Sequence, residues 1–253
     1  MRYLKGFYMS LGMFCSIPLP FHIWDEKYMG LMISSFPLVG AVIGVIWWLV
    51  GLLLFAIGAP LMLTAAILAL APFLIAGFIH LDGYMDTSDA LLSSRPLEDK
   101  MRILVDPRVG AFAVIMLMIL LLFQFAAMHT VAEVGRYLAL VISISVISRC
   151  CSTFSIFTLR HTSQSHYAPL LAQHIRAPHK IFIVLLAIAV FVLSFLYAGL
   201  LGLFVLGAVV LGYACAIAYA YKGFKGISGD LLGYAMVIAE LCGLFALAFI
   251  QVR

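Results

Sequence analysis

Residues 60–89 read PLMLTAAILALAPFLIAGFIHLDGYMDTSD. The first part, 60–81, contains no Asp, Glu, Lys or Arg. A helix needs roughly 20 apolar residues to cross a bilayer, so this part predicts a transmembrane span. The run then stops on three aspartates, Asp82, Asp86 and Asp89. In a chain with only 10% charged residues, that density of carboxylate points to chemistry at a membrane boundary.

Outward from this stretch, apolar runs of similar length lie at about 31–57, 110–132, 137–159, 181–200, 202–221 and 231–251. With 65% hydrophobic residues and a mean hydropathy of +1.16, a soluble domain is excluded. The runs are continuous rather than alternating, and a helix satisfies its own backbone in lipid, which favours helices over a barrel. The expected fold is all-α: a polytopic membrane helix bundle of about seven transmembrane helices, forming one domain over 1–253. Residues 1–20 carry Arg2 and Lys5 ahead of an apolar stretch ending at Pro18-Leu19-Pro20. Without a small-x-small cleavage site, they read as a retained interfacial or re-entrant helix. The five cysteines, Cys15, Cys150, Cys151, Cys215 and Cys242, lack metal-ligand spacing and read as small buried hydrophobes.

Basic residues set the orientation, because cytoplasmic loops retain positive charge. Arg2, Lys5, Lys27, Arg95, Lys100, Arg102, Arg108, Arg160, Arg176, Lys180, Lys222 and Lys225 fall on one side of the seven spans, Arg136 and Arg253 on the other, and Arg149 within a span. The N-terminus is therefore expected in the cytoplasm and the C-terminus outside. Most carboxylates share the cytoplasmic side, where the connections 82–109, 160–180 and 222–229 carry nearly all the polar chemistry. The net charge of +4 is spread over mixed-sign loops, which argues against nucleic-acid binding.

On a helix, Asp82, Asp86 and Asp89 at i, i+4 and i+7 share one face. Like charges that close call for a cation, and carboxylate oxygens favour a hard one such as Mg²⁺, which also coordinates substrate phosphates. His80 falls on the opposite side and meets the same ligand only if the backbone breaks near Gly83. Arg95 and Arg108 are candidate phosphate binders. The loop Lys222-Gly223-Phe224-Lys225-Gly226-Ile227-Ser228-Gly229-Asp230 offers an anion-accepting turn around Lys225 and Gly229 running into a helix start. Asp230 is either that helix's cap or a further metal ligand. Arg149 and Glu240 are intramembrane charges, which commonly face the bundle interior and pair, and are expected to support the site. His161, His166, His174 and His179 match no metal signature and read as surface histidines.

Pro18-Leu19-Pro20, Phe36-Pro37-Leu38 with Gly40, His80-Leu81-Asp82-Gly83 with Asp86 and Asp89, Asp106 with Arg108 and Gly110-Ala111-Phe112, Ser148-Arg149, and Gly226 through Gly229-Asp230 with Leu232-Gly233 stand in this order along most of the chain. In that combination the chain resembles the cobalamin synthase family, the adenosylcobinamide-GDP ribazoletransferases. The resemblance implies a Mg²⁺-dependent transferase of the bacterial or archaeal cytoplasmic membrane. Its partners would be adenosylcobinamide-GDP and α-ribazole or α-ribazole 5′-phosphate, with GMP released, in the bilayer and as a homo-oligomer or in association with other cobalamin-assembly enzymes. It implies Asp82, Asp86, Asp89, Asp106 and Asp230 as metal ligands, the first three also catalytic together with Arg108. His80, Arg95, Arg108, Lys225 and Gly229 would bind substrate. The chain departs from the family at Tyr84-Met85, Pro107 and Val237, the last standing where a glutamate is usual. Two rivals remain: a CDP-alcohol phosphotransferase, whose motif carries an arginine that Asp82-Gly83-Tyr84-Met85-Asp86 lacks, and a cation-coupled transporter, which needs charges along a path through the bilayer.

Overall fold

A computed structural model describes residues 2–162 and 174–251. Its helices are α1 (Arg2–Phe14), α2 (Met29–Ser34), α3 (Phe36–Ala56), α4 (Leu61–Ala76), α5 (Ile79–Leu92), α6 (Leu97–Leu104), α7 (Ala111–Val134), α8 (Leu140–Thr158), α9 (Ala177–Ala198), α10 (Leu200–Phe224) and α11 (Gly229–Gln251). Six of them, α3 and α7 to α11, are long and apolar enough to cross a membrane, and α4 with α5 makes a seventh segment bent by 96°. The chain is a multi-pass membrane helix bundle.

The bend corrects the expected span at 60–81. The straight helix stops at Ala76, where Gly77 takes a left-handed φ of 73°, a conformation glycine adopts without steric cost. Phe78 follows at φ 63°, and α5 sets off in a new direction. The apolar run continues across the corner without a change in composition, so hydropathy does not reveal it. The expected loop 82–109 is correspondingly mostly helical, in α5 and α6.

Within α4, Pro72 has no N–H to give to Leu68, four residues back. The Trp47 indole of α3 donates to that carbonyl instead, at 2.8 Å. Gln124 of α7 donates to the neighbouring Ala69 carbonyl, also at 2.8 Å. The first bond restores what the proline removes in a setting without water, and both tie α4 to its neighbours.

Centrally placed α8 and α11 are the most enclosed of the long helices, whereas α9 leaves most of its surface uncovered. α8 is rich in Ser and Cys, and small residues let membrane helices approach closely. Facing it, Gly40 and Gly44 of α3 press on Ser145 and Ile142, where a Cβ would come within 2.5 Å and 2.6 Å of backbone atoms. α1, at 13 residues, is too short to cross. It packs on α2 at Gly6 and Leu31, and the turn after it docks on the end of α4 through Ser16 N–H to Ile75 O at 2.8 Å. All five cysteines are free. Only Cys150 is buried, and Cys215 is exposed on α10, so the expectation that all five are buried is too broad.

Short turns close one end of the bundle, where Tyr197 donates to the Arg136 carbonyl at 3.1 Å. The other end gathers α5, α6, the starts of α7 and α11, and the ends of α8 and α10. There the chain after α8 pairs with the α10–α11 turn: Ile227 N–H donates to Arg160 O and Thr162 N–H to Ile227 O, both at 2.9 Å.

Candidate functional site

The helix α5 runs unbroken through Gly83, so Asp82, Asp86 and Asp89 do share one face. Gly83 itself lies against the start of α11: a Cβ there would stand 2.7 Å from Asp230 Cα and 2.8 Å from its carbonyl oxygen. This contact brings a residue 147 positions further along the chain to the aspartate helix. Asp86 lies within Coulombic range of Asp82, Asp230 and Asp89, and Asp230 within range of Asp82. Asp82 is exposed and the other three are half-buried.

Asp89 and Asp106 have other partners. The Asp89 carboxylate rests on Gly110 and accepts from the Ala113 N–H at 3.4 Å, which places an anion at the N-terminus of α7, where the helix dipole favours one. Asp106 is gripped by Arg108, which donates its backbone N–H at 3.0 Å, Nε at 2.9 Å and Nη2 at 2.7 Å. The guanidinium holds the Asp106 carboxyl down at about 2. Arg108's fork is thereby taken up, and Arg95 is exposed in the turn between α5 and α6.

Among the described residues, no three His, Cys, Asp or Glu side chains converge into a ready-made metal cage. Mg²⁺ needs no such cage, since it commonly takes one or two carboxylates and completes its shell with water and substrate phosphates. The oxygen-only set Asp82, Asp86 and Asp230 fits that mode of binding.

One cavity adjoins the cluster, and a second shares a wall residue with the first. An apolar chamber of about 230 Å³ is lined by Met29, Met32, Phe36, His80, His161 and Asp230, among others. A more open cleft of about 510 Å³ is lined by Glu98, Arg102, Arg160, His161, Thr162 and Lys225 with apolar neighbours. His161 belongs to both. His80 is turned away from the aspartates and packs on Phe14 and Phe36, with ring centroids 6.2 Å and 5.6 Å away. It faces the chamber wall, where the sequence placed it opposite the aspartates. Glu98 and Arg102 of α6 meet Arg160 after α8 only in the fold, so the sequence carries no local signal for their grouping. His179 accepts from the Arg176 N–H at 3.2 Å at the start of α9, while His166 and Arg253 lie outside the described residues.

Deeper in the bundle, Arg149 and Glu240 form an ion pair. Ser148 Oγ donates to Glu240 Oε1 at 2.8 Å, and Arg149 also donates to Ser145 O at 3.2 Å. Both residues are buried. Val237 and Glu240, one turn apart on α11, line the same small cavity beside Arg149 and His80. A carboxylate at either position thus reaches the surroundings of the same guanidinium.

The family model described as cobalamin-5-phosphate synthase matches residues 6–248. An adenosylcobinamide-GDP ribazoletransferase of Clostridium perfringens (strain ATCC 13124) is 35% identical over 248 residues, covering 98% of this chain and 99% of its own. One of Clostridium botulinum (strain Alaska E43) is 34% identical over 242 residues, covering 96% of each. A third, of Geobacillus kaustophilus, is 31% identical over 237 residues, covering 90% of this chain and 89% of its own. No solved structure matches the chain. Carried across nearly its whole length by this match, the chain belongs to the cobalamin-5-phosphate synthase family.

Proposed function

We propose that the chain is an adenosylcobinamide-GDP ribazoletransferase, a phosphotransferase that moves the adenosylcobinamide phosphate group onto α-ribazole or its 5′-phosphate. A ribose hydroxyl oxygen bonds to the cobinamide-bearing phosphorus, the P–O bond to GMP breaks, and GMP leaves. The observation that carries this reading is the meeting of Asp82 and Asp86 with Asp230 at the Gly83 contact, beside an apolar cavity that Asp230 itself lines.

In this reading Asp82, Asp86 and Asp230 would hold Mg²⁺, which would supply charge screening for the diphosphate and the leaving phosphate. One of the three carboxylates takes the proton of the attacking hydroxyl. The apolar chamber next to Asp230 receives the flat aromatic base of the acceptor and keeps water from the reacting oxygen. Asp89 fixes α5 against α7, and the Arg149–Glu240 pair fixes α8 against α11. The protein's part is mainly positioning and charge neutralisation, as in other phosphoryl transfers. Twelve of the fifteen basic residues lie toward this end of the sequence's alternating loops, which supports a site and an N-terminus on the cytoplasmic side of the inner membrane.

The test is to incubate purified protein with adenosylcobinamide-GDP, α-ribazole and Mg²⁺ and to follow GMP release and corrinoid product together. Asp82→Asn, close in volume but uncharged, should lower turnover at least 100-fold with an unchanged melting temperature. Wild-type turnover in folded Asp82→Asn protein would remove Asp82 from the site. No product with either acceptor would overturn the assignment.

A further inference from the structure

The basic cleft is not accounted for by the chemistry above. Its cations come from three parts of the chain: Arg102 on α6, Arg160 after α8 and Lys225 after α10. Among the described residues, Arg160 and Lys225 have no carboxylate within ion-pair distance, and Arg102 has only an exposed partner, Asp99, at 3.5 Å. Exposed pairs of that kind contribute little. The three cations outnumber the one carboxylate of the lining, Glu98, and that excess of positive charge favours an anionic ligand.

Three further observations mark the cleft as built. Thr162 Oγ1 is buried in its wall with no hydrogen-bond partner among the described residues, which leaves a hydroxyl donor for a phosphate oxygen. Lys225 is held at φ 60°, with its N–H on Tyr221 O at 2.8 Å. A non-glycine residue in that region is disfavoured, and such strain collects at ligand sites. Gly226 then permits the pairing with the chain after α8, since a Cβ there would stand 2.8 Å from Thr162 N.

The remaining lining selects among anions. Leu97, Met101 and Phe224 give an apolar wall, which free phosphate does not need but a nucleobase does. Glu98 adds an acceptor-only carboxylate among the cations. Guanine presents N1–H and N2–H donors side by side to such a group, whereas adenine presents an acceptor at N1 and no 2-amino group. The volume of about 510 Å³ is in the range of nucleotide-sized pockets. His161 lines both this cleft and the chamber that holds Asp230, so a single side chain stands between the two.

We infer that this cleft is the subsite for a guanosine nucleotide, with Arg102, Arg160, Lys225 and Thr162 on its phosphate and Glu98 on its base. The inference rests on the transferase reading for its ligand, since it assigns the leaving GMP to a place. It also predicts binding in the absence of turnover.

The test measures equilibrium binding of GMP, AMP and inorganic phosphate to the full-length protein in neutral detergent with EDTA, alongside turnover. GMP should bind at least 10-fold more tightly than AMP or phosphate. Arg160→Ala and Lys225→Gly should each weaken GMP binding about 10-fold, the second without added strain because glycine accepts that φ. Glu98→Gln should bring GMP and AMP to within about threefold of each other. Unchanged GMP binding in Arg160→Ala and Lys225→Gly overturns the inference and leaves the transferase reading intact. Phosphate binding equal to GMP binding, or displacement of a short-chain phosphatidylglycerol but not of GMP by these substitutions, assigns the cleft to a simple anion or a lipid headgroup and also overturns it. Guanosine-selective binding that depends on Arg160, without turnover on any donor, upholds the cleft while the transferase reading fails.

Discussion

Gly83→Ala tests the joint on which the acid cluster depends. The added Cβ would meet Asp230 Cα at 2.7 Å and its carbonyl oxygen at 2.8 Å, against an ordinary contact of at least 3.4 Å. Both atoms are backbone, so no rotamer change relieves the clash, and α5 and α11 must part by about 0.7 Å or more. Overpacking of this kind costs about 1–3 kcal/mol. Against it, alanine gains about 1 kcal/mol over glycine in a helix interior, so the net loss of stability should be about 2 kcal/mol at most. Activity should suffer more. The same displacement carries Asp230 away from Asp82 and Asp86, and misplacement approaching 1 Å can lower a rate about 100-fold. GMP release and thermal unfolding should be measured on the same detergent-purified protein, with Gly207→Ala as control, because nothing lies within 4 Å of a Cβ built there. The control should keep wild-type turnover. If Gly83→Ala also keeps more than half of it, the α5–α11 contact does not set the catalytic geometry and the reasoning fails.

Glu240→Ala leaves Arg149 buried without its carboxylate and should destabilise the protein by about 3–5 kcal/mol, read as a lower denaturation midpoint. The double variant Arg149→Met with Glu240→Met should recover most of that loss, because no lone buried charge remains. Asp89→Ala removes the acceptor at the start of α7 and should cost about 1 kcal/mol. Asp89→Asn, which retains an acceptor, should keep both the melting temperature and most of the turnover; a loss of turnover as large as that of Asp82→Asn would make Asp89 a ligand instead. Asp106 is depressed to about 2 by Arg108, so its contribution is full above the ordinary carboxylate value near 4 and is lost only as pH falls from about 4 toward 2. Asp106→Asn should therefore leave the shape of the melting-temperature profile unchanged between pH 5 and 9.

Several features were legible in the sequence for a physical reason. Three aspartates at i, i+4 and i+7 share a face in any helix, and the structure supplies a continuous one. Arg149 and Glu240 are the two charges inside apolar runs, and burial in lipid leaves each the other as its partner. The corner at Gly77-Phe78 was not legible, because hydropathy measures the solvent a residue prefers and carries no direction. Nor was the pairing of Asp106 with Arg108, since a short Asp-Pro-Arg segment can point its fork inward to a ligand or back onto its own carboxylate.

The sequence by itself determined that the chain is a membrane helix bundle with its polar chemistry at one end, because the energetic cost of charge and unpaired backbone in lipid is written into composition and run length. Only the tertiary structure decided which of those polar residues meet. Asp230 reaches Asp82 and Asp86 because Gly83 lets two backbones touch, and Arg102, Arg160 and Lys225 surround one cleft because three helix ends converge there. Contacts between segments so far apart depend on how the helices cross, and a linear pattern of residues does not encode a crossing.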